Sequence, residues 1–427
     1  MDSKRRSVSG RNQMKNEILF RKFLLMPAVL LIMGLNLSLF PCTVAVISGK
    51  ATPDGRCLLW KNRDTRSVAN KMAFQRGEKY GFITLVDAQD KNLVNAWAGI
   101  NTQGFAIMNS ASGDLAESTE GMDDNGRLMR EALGACADVL DFEKMLLETN
   151  NKRRVGANYG VIDAQGRACF FETSSSSFVK FDANDIRQAP QGYIIRTNYA
   201  FTAPRQNSGG GYIRFERASE LFETARAERK LGYKFILREA ARDLTNEKLH
   251  SYPLAVPKTS DLSSPLYINT NDTINRNTSV SVVLFHGAPD PNKAYLSTMW
   301  VILGQPVCSV AIPLWADAES VPAPLGGEET SALNDFARAL ASYLYPDQRG
   351  HMSQYLNISR LLHYGGEGVL KKLFRIEDKV FLETEDMSKV WTNKRPARED
   401  IQDFEQKIAA WVYESLKVTF PDIEIQE

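Results

Sequence analysis

From Cys42 onward the alternation of apolar and polar positions is that of strands. CTVAVISG, a turn at ATPDG where Pro53, Asp54 and Gly55 supply turn chemistry, and RCLLWKNRD together read as a hairpin. Strands are also predicted at YGFITLV, NAWAGI and GFAIMN, the last two joined by a turn at residues 101–104. The period then lengthens to that of helices over 127–137 and 141–149, where Phe142, Met145 and Leu146 share one face. It returns to strands at NYGVIDA, RACFFET and GYIIRTN, and to a helix over 215–225. Residues 251–277 are polar, contain prolines and lack a period, which predicts a long surface loop. Strands VSVVLFHG, YLSTMWVILG and SVAIPLW follow. The last third is helical, over 332–344, a short pair around 356–373, and 400–416. Strands first, helices next, strands again and helices last indicate α+β layers, and two sheets held between helical layers fit that order.

Ahead of Cys42 the pattern is of another kind. Lys4, Arg5, Arg6, Arg11, Lys15, Arg21 and Lys22 precede the apolar run FLLMPAVLLIMGLNLSLF over 23–40, the layout of an export leader. The run is also about long enough to span a bilayer, so a membrane-anchoring helix is the alternative. Pro27, Gly34, Asn36 and Ser38 interrupt it, and no second run of that length follows. A start at Met14 would give a more usual leader length. Signal peptidases favour small residues at the last and third-last leader positions, where this chain has Pro41 and Leu39. The expected segments are a leader over 1–41, a catalytic body over 42–325, and a helical extension over 326–427 packed on it. Leader removal would leave the protein periplasmic or secreted.

Composition enters through what it excludes. The 427 residues carry 52 basic and 51 acidic groups. Seven of the basic and two of the acidic ones precede Cys42, so the body is left at about −4. A faintly acidic body offers nucleic acid no electrostatic footprint. A small-molecule partner, and a membrane only through the leader, are what remain; oligomeric state leaves no mark. Five irregularly spaced cysteines (Cys42, Cys57, Cys136, Cys169, Cys308) are an odd number, which in an exported chain implies at least one thiol outside a disulfide. The last four read as small core residues. The four histidines, His250, His286, His351 and His363, accompany no GxSxG elbow, HExxH or CxxC, and read as surface or packing residues. Dinucleotide and P-loop glycine patterns are lacking too, GGG at 209–211 reading only as a flexible turn. No metal or organic cofactor is implied.

What is left is a nucleophile that needs no histidine. A cysteine whose backbone nitrogen becomes a free α-amine carries its own general base, because an α-amine (about 7.7–8.0) and a thiol (about 8.5) titrate close together. The protonated amine can then return its proton to a leaving amine. Such a site also needs donors for an oxyanion and a carboxylate to orient the amine. Cys42, at the leader boundary, is placed for this.

The motifs downstream of Cys42 carry a resemblance. Cys42-Thr43 opens a strand, and the next strand ends KNRD at residues 61–64. GINTQGFAIMN ends at Asn109, NYGVIDAQGRACFFE runs from Asn158 to Glu172, RTN ends at Asn198, and YIRFERA holds Arg214. This succession resembles the linear-amide hydrolases of the N-terminal-nucleophile superfamily. The group includes choloylglycine hydrolases, penicillin V acylases, acid ceramidases and, in closest detail, the acyl-CoA:6-aminopenicillanic acid acyltransferase-like peptidases. The resemblance covers residues 42–221, with a weaker echo in NTSVSVVLFHG and WVILGQP. It implies a four-layer αββα sandwich and an amidohydrolase working through a Cys42 thioester on a linear, N-acyl or non-peptide amide. Cys42 would be nucleophile and base, and Asp64 the carboxylate holding its amine or thiol. Asn198 and Asn109 would serve in or near the oxyanion pocket, with Arg214 bracing the site and Thr43 beside it. Lys61 stands where the family has an arginine, with Arg63 next door, and a lysine cannot copy a guanidinium fork.

Each residue also has a plainer reading: Asp64, Asn109 and Asn198 as turn residues ending strands, Arg214 as a solvated cation at a helix start. Two other functions share the same cysteine. An acyltransferase would pass the acyl group to an amine in place of water, and a lipid-anchored binding protein would be acylated at Cys42. The loops over 110–124 and 246–277 would wall the pocket, with Phe105, Tyr199, Phe201 and Trp300 as candidate acyl-pocket aromatics that also fit a core.

Overall fold

The computed structural model describes residues 42–112, 114–115, 124–203, 209–246, 248–249, 265–347, 349–363 and 367–425. The leader expected over 1–41 lies outside them, as do most of the loop predicted over 251–277 and most of the two expected pocket walls. No helix among the described residues is long and apolar enough to cross a membrane.

Strands β1 (Thr43–Ile47) and β2 (Leu58–Asp64) form the predicted hairpin, Thr43 facing Asn62 and Ile47 facing Leu58. β3 (Asn70–Arg76) was not marked by the sequence pattern; NKMAFQR alternates weakly, and its pairing with β4 (Gly81–Asp87) makes it a strand. β5 (Ala98–Asn101) and β6 (Ala106–Ala111) are joined by a tight turn. There Asn101 Oδ1 accepts from the amides of Gln103 and Phe105, and Gly104 takes φ +76°. The two predicted helices follow as α1 (Asn125–Ala135) and α2 (Val139–Glu148), the second capped by Asp138, which accepts from the Leu140 and Asp141 amides. Next come β7 (Ala157–Ile162), β8 (Ala168–Thr173), the unpredicted edge strand β9 (Phe178–Asp182) and β10 (Tyr193–Arg196). Helices α3 (Tyr212–Ala227) and α4 (Tyr233–Arg238) lead on to β11 (Tyr267–Asn269), β12 (Ser279–His286), β13 (Thr298–Leu303) and β14 (Ile312–Leu314). The chain closes with α5 (Ala332–Leu344), β15 (Tyr355–Asn357), α6 (Ile358–Leu362), α7 (Val369–Asn393) and α8 (Arg398–Thr419).

Two expectations are corrected here. Within the predicted loop, Tyr267–Asn269 form the strand β11, which pairs with β15 in a small sheet of its own. The short helical pair around 356–373 is β15, α6 and the start of a 25-residue helix, α7. Its buried positions, among them Leu373, Ile376, Val380 and Phe381, are set among so many charges that the stripe faded from view beyond residue 373.

The strands form an antiparallel six-stranded sheet, ordered β10-β1-β2-β12-β13-β14, and a seven-stranded meander from β3 to β9. They pack face to face, closely enough at Gly160 of β7 that a Cβ there would collide with Met108, Leu59 and Val46. α1 and α2 cover the outer face of the meander, burying Phe142 against Phe105, Tyr159 and Phe171. The remaining long helices cover the other sheet. Phe222 of α3 lies on Trp60, Phe381 of α7 on Trp300, and Phe404 of α8 on Trp315. The architecture is thus the αββα sandwich expected. The core placement of Phe105 and Trp300 removes both from the list of acyl-pocket aromatics.

Candidate active site

Cys42 heads β1, at the end of the six-stranded sheet where β2 finishes and β12 begins. Strand alternation sorts the side chains there. Trp60, Asn62 and Asp64 point to the helical layer: Trp60 stacks on Phe222, Asn62 Nδ2 donates to Ala241 O (2.8 Å), and Asp64 lies within the influence of Arg214 from α3. Lys61 and Arg63 point to the other sheet. Continuing the register back from the Thr43–Asn62 pair sets Cys42 across from Arg63, with its backbone nitrogen on the Asp64 side.

Arg214 ties the head of the strand together. Its Nη1 donates to the carbonyl of Cys42 (2.7 Å) and to Thr43 Oγ1 (2.8 Å), and its Nη2 donates to Asn198 Oδ1 (3.0 Å). Asn198 Nδ2 in turn donates to Ala111 O (2.9 Å) at the end of β6. Arg214 is 0 % exposed, so the solvated-cation reading does not hold; Asp64, the last residue of β2, is 1 % exposed. Burial lowers the Arg214 guanidinium from its usual value, with Asp64 opposing the shift. Burial raises Asp64 to about 6, against the pull of Arg276, Arg214, the Ser279 hydroxyl and Lys61. One Asp64 oxygen, Oδ1, accepts from Ser279 Oγ (2.6 Å); the other, Oδ2, is buried without a hydrogen-bond partner.

Lys61 works on the inter-sheet side. Its ammonium donates to Trp97 O and to Asn109 Oδ1, both at 2.8 Å, which fixes the Asn109 amide. Burial lowers Lys61 to about 8, with Cys42 opposing the shift. Arg63 takes a separate role, donating to Asn70 Oδ1 and Asp87 Oδ1 and lying over Trp97. All eight residues singled out in the sequence therefore fall at one end of the sandwich, though the Arg63 side chain bonds residues outside that group.

Sequence reasoning missed several supports. Ser279 is one, although it stands in the NTSVSVVLFHG echo. Glu172, which closes the NYGVIDAQGRACFFE motif but was given no role there, is another: its carboxylate accepts from Arg196 Nε (2.7 Å) and from the amides of Phe201 (2.9 Å) and Thr202 (2.8 Å), fixing the segment that carries Asn198. Asn158 adds a tie from the meander, donating to Tyr199 O (3.1 Å). The glycines at 209–211 are more than a flexible turn. Gly210 pairs with Asn198 through both backbone bonds (3.1 Å each), and Gly211, at φ +88°, opens α3 so close to Arg214 and Thr197 that a Cβ would collide with both.

Tyr199 and Phe201 stand beside Asn198, stack on each other and meet Phe215 edge-on, with Tyr212 tilted against Tyr199; Phe201 is 53 % exposed. Of the described histidines, His286 sits at the opposite end of β12, paired with Asp54 (2.7 Å), and burial lowers it to about 4. No disulfide joins the cysteines. Burial pushes the Cys57 thiol to about 11 and those of Cys136 and Cys169 to about 12, the behaviour of inert core thiols.

Residues 51–257 match the family described as acyl-coenzyme A:6-aminopenicillanic acid acyl-transferase, so the resemblance carried by the motifs is borne out over that stretch. No curated protein matches the chain. Among solved structures it is similar to a mutant conjugated bile acid hydrolase from Clostridium perfringens (10 % identity, 68 % of this chain and 94 % of that one, TM-score 0.42). It is similar also to penicillin V acylase from Agrobacterium tumefaciens (12 %, 64 % and 86 %, 0.38). A third is the Caenorhabditis elegans N-acylethanolamine-hydrolyzing acid amidase ortholog (15 %, 61 % and 100 %, 0.41).

Proposed function

We propose that this chain is an exported cysteine amidohydrolase that cleaves a linear C–N amide bond after removal of residues 1–41 frees the α-amine of Cys42. One observation carries the reading: Arg214 joins the Cys42 carbonyl, Thr43 and Asn198 in one buried network beside Asp64. In the proposed reaction the α-amine takes the thiol proton and the thiolate attacks the substrate carbonyl. The oxyanion donors in this reading are Asn109 Nδ2, whose amide is oriented by Lys61, and Asn198 Nδ2, which also donates to Ala111 O. The protonated amine then passes its proton to the leaving amine, and water releases the acyl group from the Cys42 thioester. Ionised Asp64 holds the ammonium form in place. The rings of Tyr199, Phe201, Tyr212 and Phe215 offer an apolar wall for the acyl part.

The matched family's description names an acyl transfer, which supports a second reading in which an amine takes the acyl group in place of water. Product analysis with and without an added amine separates the two. The lipid-anchor reading is disfavoured by burial, since Cys42 is 6 % exposed and its carbonyl is held by Arg214.

The test compares the full chain with protein beginning at Cys42 against a panel of N-acyl amides. The processed form is expected to be active and to lose activity with iodoacetamide; the full chain, Cys42→Ala, and protein with one extra residue before Cys42 are expected to be inactive. Equal activity in the extended and processed forms would refute the mechanism.

A further inference from the structure

We infer that Ser279 is the positioning residue for Asp64: a β-bulge turns its hydroxyl onto one carboxylate oxygen so that the other is presented to the α-amine of Cys42. This rests on the proposed function.

The bulge is visible in the register. Along β12, Ser281 pairs with Arg63 of β2, yet Asp64 pairs with Ser279, leaving Val280 as the extra residue. Regular pairing would have set Val280 against Asp64, an apolar side chain that can donate nothing to a buried carboxylate. Bulges re-aim side chains at the cost of one unpaired residue, and here the re-aimed group is a hydroxyl. A tight turn stiffens it, since the Ser279 amide donates to Arg276 O (3.0 Å).

The hydroxyl's proton is committed. Ser279 Oγ accepts from the Arg276 amide (3.1 Å), which occupies a lone pair. Its one hydrogen has two acceptors in reach, Asp64 Oδ1 at 2.6 Å and Ile274 O at 3.5 Å, and the short, charge-assisted contact wins. Oδ1 is thereby fixed and the carboxylate cannot rotate without losing it. Oδ2 is left buried and unpartnered, a vacancy that a buried carboxylate rarely keeps. The charged groups around Asp64 are Arg276 ahead of β12, Arg214 of α3 and Lys61 on its own strand. Arg214 directs its Nη atoms to Cys42, Thr43 and Asn198, and Lys61 directs its ammonium to Trp97 and Asn109. Arg276 Nη2 goes to Asn271 (2.6 Å) and its Nη1 lies 3.8 Å from Asp272, while the Nε atoms of Arg276 and Arg214 are, like Oδ2, buried without a hydrogen-bond partner, so the two arginines supply Asp64 with charge but no hydrogen bond. An ammonium at the head of β1 fits the vacancy.

The experiment follows the Asp64 carboxyl by carbon NMR in aspartate-labelled protein, in the full chain and in protein beginning at Cys42, with Asp64→Asn giving the assignment. Removing a donor to the ionised form raises a carboxyl's pKa. Ser279→Ala should therefore move the Asp64 titration up by about one pH unit or more, since a hydrogen bond to a charged group is strong. Ser279→Thr should restore it, and Ser279→Cys, a weak donor, should fall between. The pH dependence of Cys42 alkylation by iodoacetamide should move with it in the processed protein, and should not respond to Ser279 once Asp64→Asn is present. If the alanine variant fails to fold, the cysteine and threonine variants carry the comparison.

An Asp64 titration indifferent to all three substitutions, in a protein active only when processed, would overturn this inference alone. A titration that responds to Ser279, in a protein equally active with and without residues 1–41, would overturn the proposed function and with it the role of the vacant oxygen.

Discussion

Replacing Asp64 by asparagine should remove a loss of stability that the parent suffers as pH rises from acid to neutral, while abolishing its activity. The carboxyl is fully buried and raised from 3.8 to about 6, so the folded state disfavours the ionised form that the mechanism uses. The sign follows from linkage. Below the unfolded value both states carry the proton and there is no penalty; as pH rises from about 3.8 to about 6 the unfolded chain loses its proton first, and stability falls. Above both values the loss is about 3 kcal/mol, at about 1.4 kcal/mol per pH unit of displacement. Asparagine keeps an oxygen for Ser279 and has nothing to ionise. Any fixed cost of the amide beside Arg214 and Arg276 is the same at every pH, so the measurement is the slope. Urea denaturation of both proteins at pH 4.5 and pH 8 should show the variant gaining about 2 kcal/mol on the parent between the two. A stability difference independent of pH would refute the claim that Asp64 is buried at an energetic cost in the folded protein. On the proposed mechanism activity should be lost, because a neutral amide would not hold a Cys42 ammonium.

Asn198→Ala should lower turnover by about 10²–10³-fold, the usual loss of one oxyanion donor, with thermal unfolding little changed; near-normal turnover would remove Asn198 from the site. Gly211→Ala should cost about 1–3 kcal/mol for a side chain at φ +88°, and should also impair activity because the new Cβ displaces Arg214; denaturation and assay together check it. Glu377 of α7 accepts from both Nη atoms of Arg242 (3.0 and 2.7 Å) and from the Ala311 amide (2.7 Å), all buried. Glu377→Gln should destabilise by about 3–5 kcal/mol, since it leaves a buried guanidinium without its counter-charge; a loss near zero in urea unfolding would show that this buried ion pair does not hold α7 in place.

The order of strands and helices was legible in the chain because most elements carry their own period. The β1–β2 hairpin, the turn at 101–104, and helices α1, α2, α5 and α8 follow from alternation, turn residues and apolar stripes. The local motifs likewise marked Cys42, Asp64, Asn109, Asn198 and Arg214 as candidates. Elements held by their neighbours escaped. β3, β9 and β11 are strands because of the ladders they join, and the later turns of α7 are helical with a buried stripe too thin to stand out among charges.

At the site the division is the same. Sequence named residue types and their order, but a side chain's partner is a matter of which face it occupies and what lies across the sheet. Only the folded chain decided that Arg214 is buried against the Cys42 carbonyl and that Lys61 reaches across to Asn109 of the facing sheet. The bulge between Ser279 and Ser281 is the sharpest case. The chain could not show which serine meets Asp64, because strand register is set by pairing between segments more than 200 residues apart.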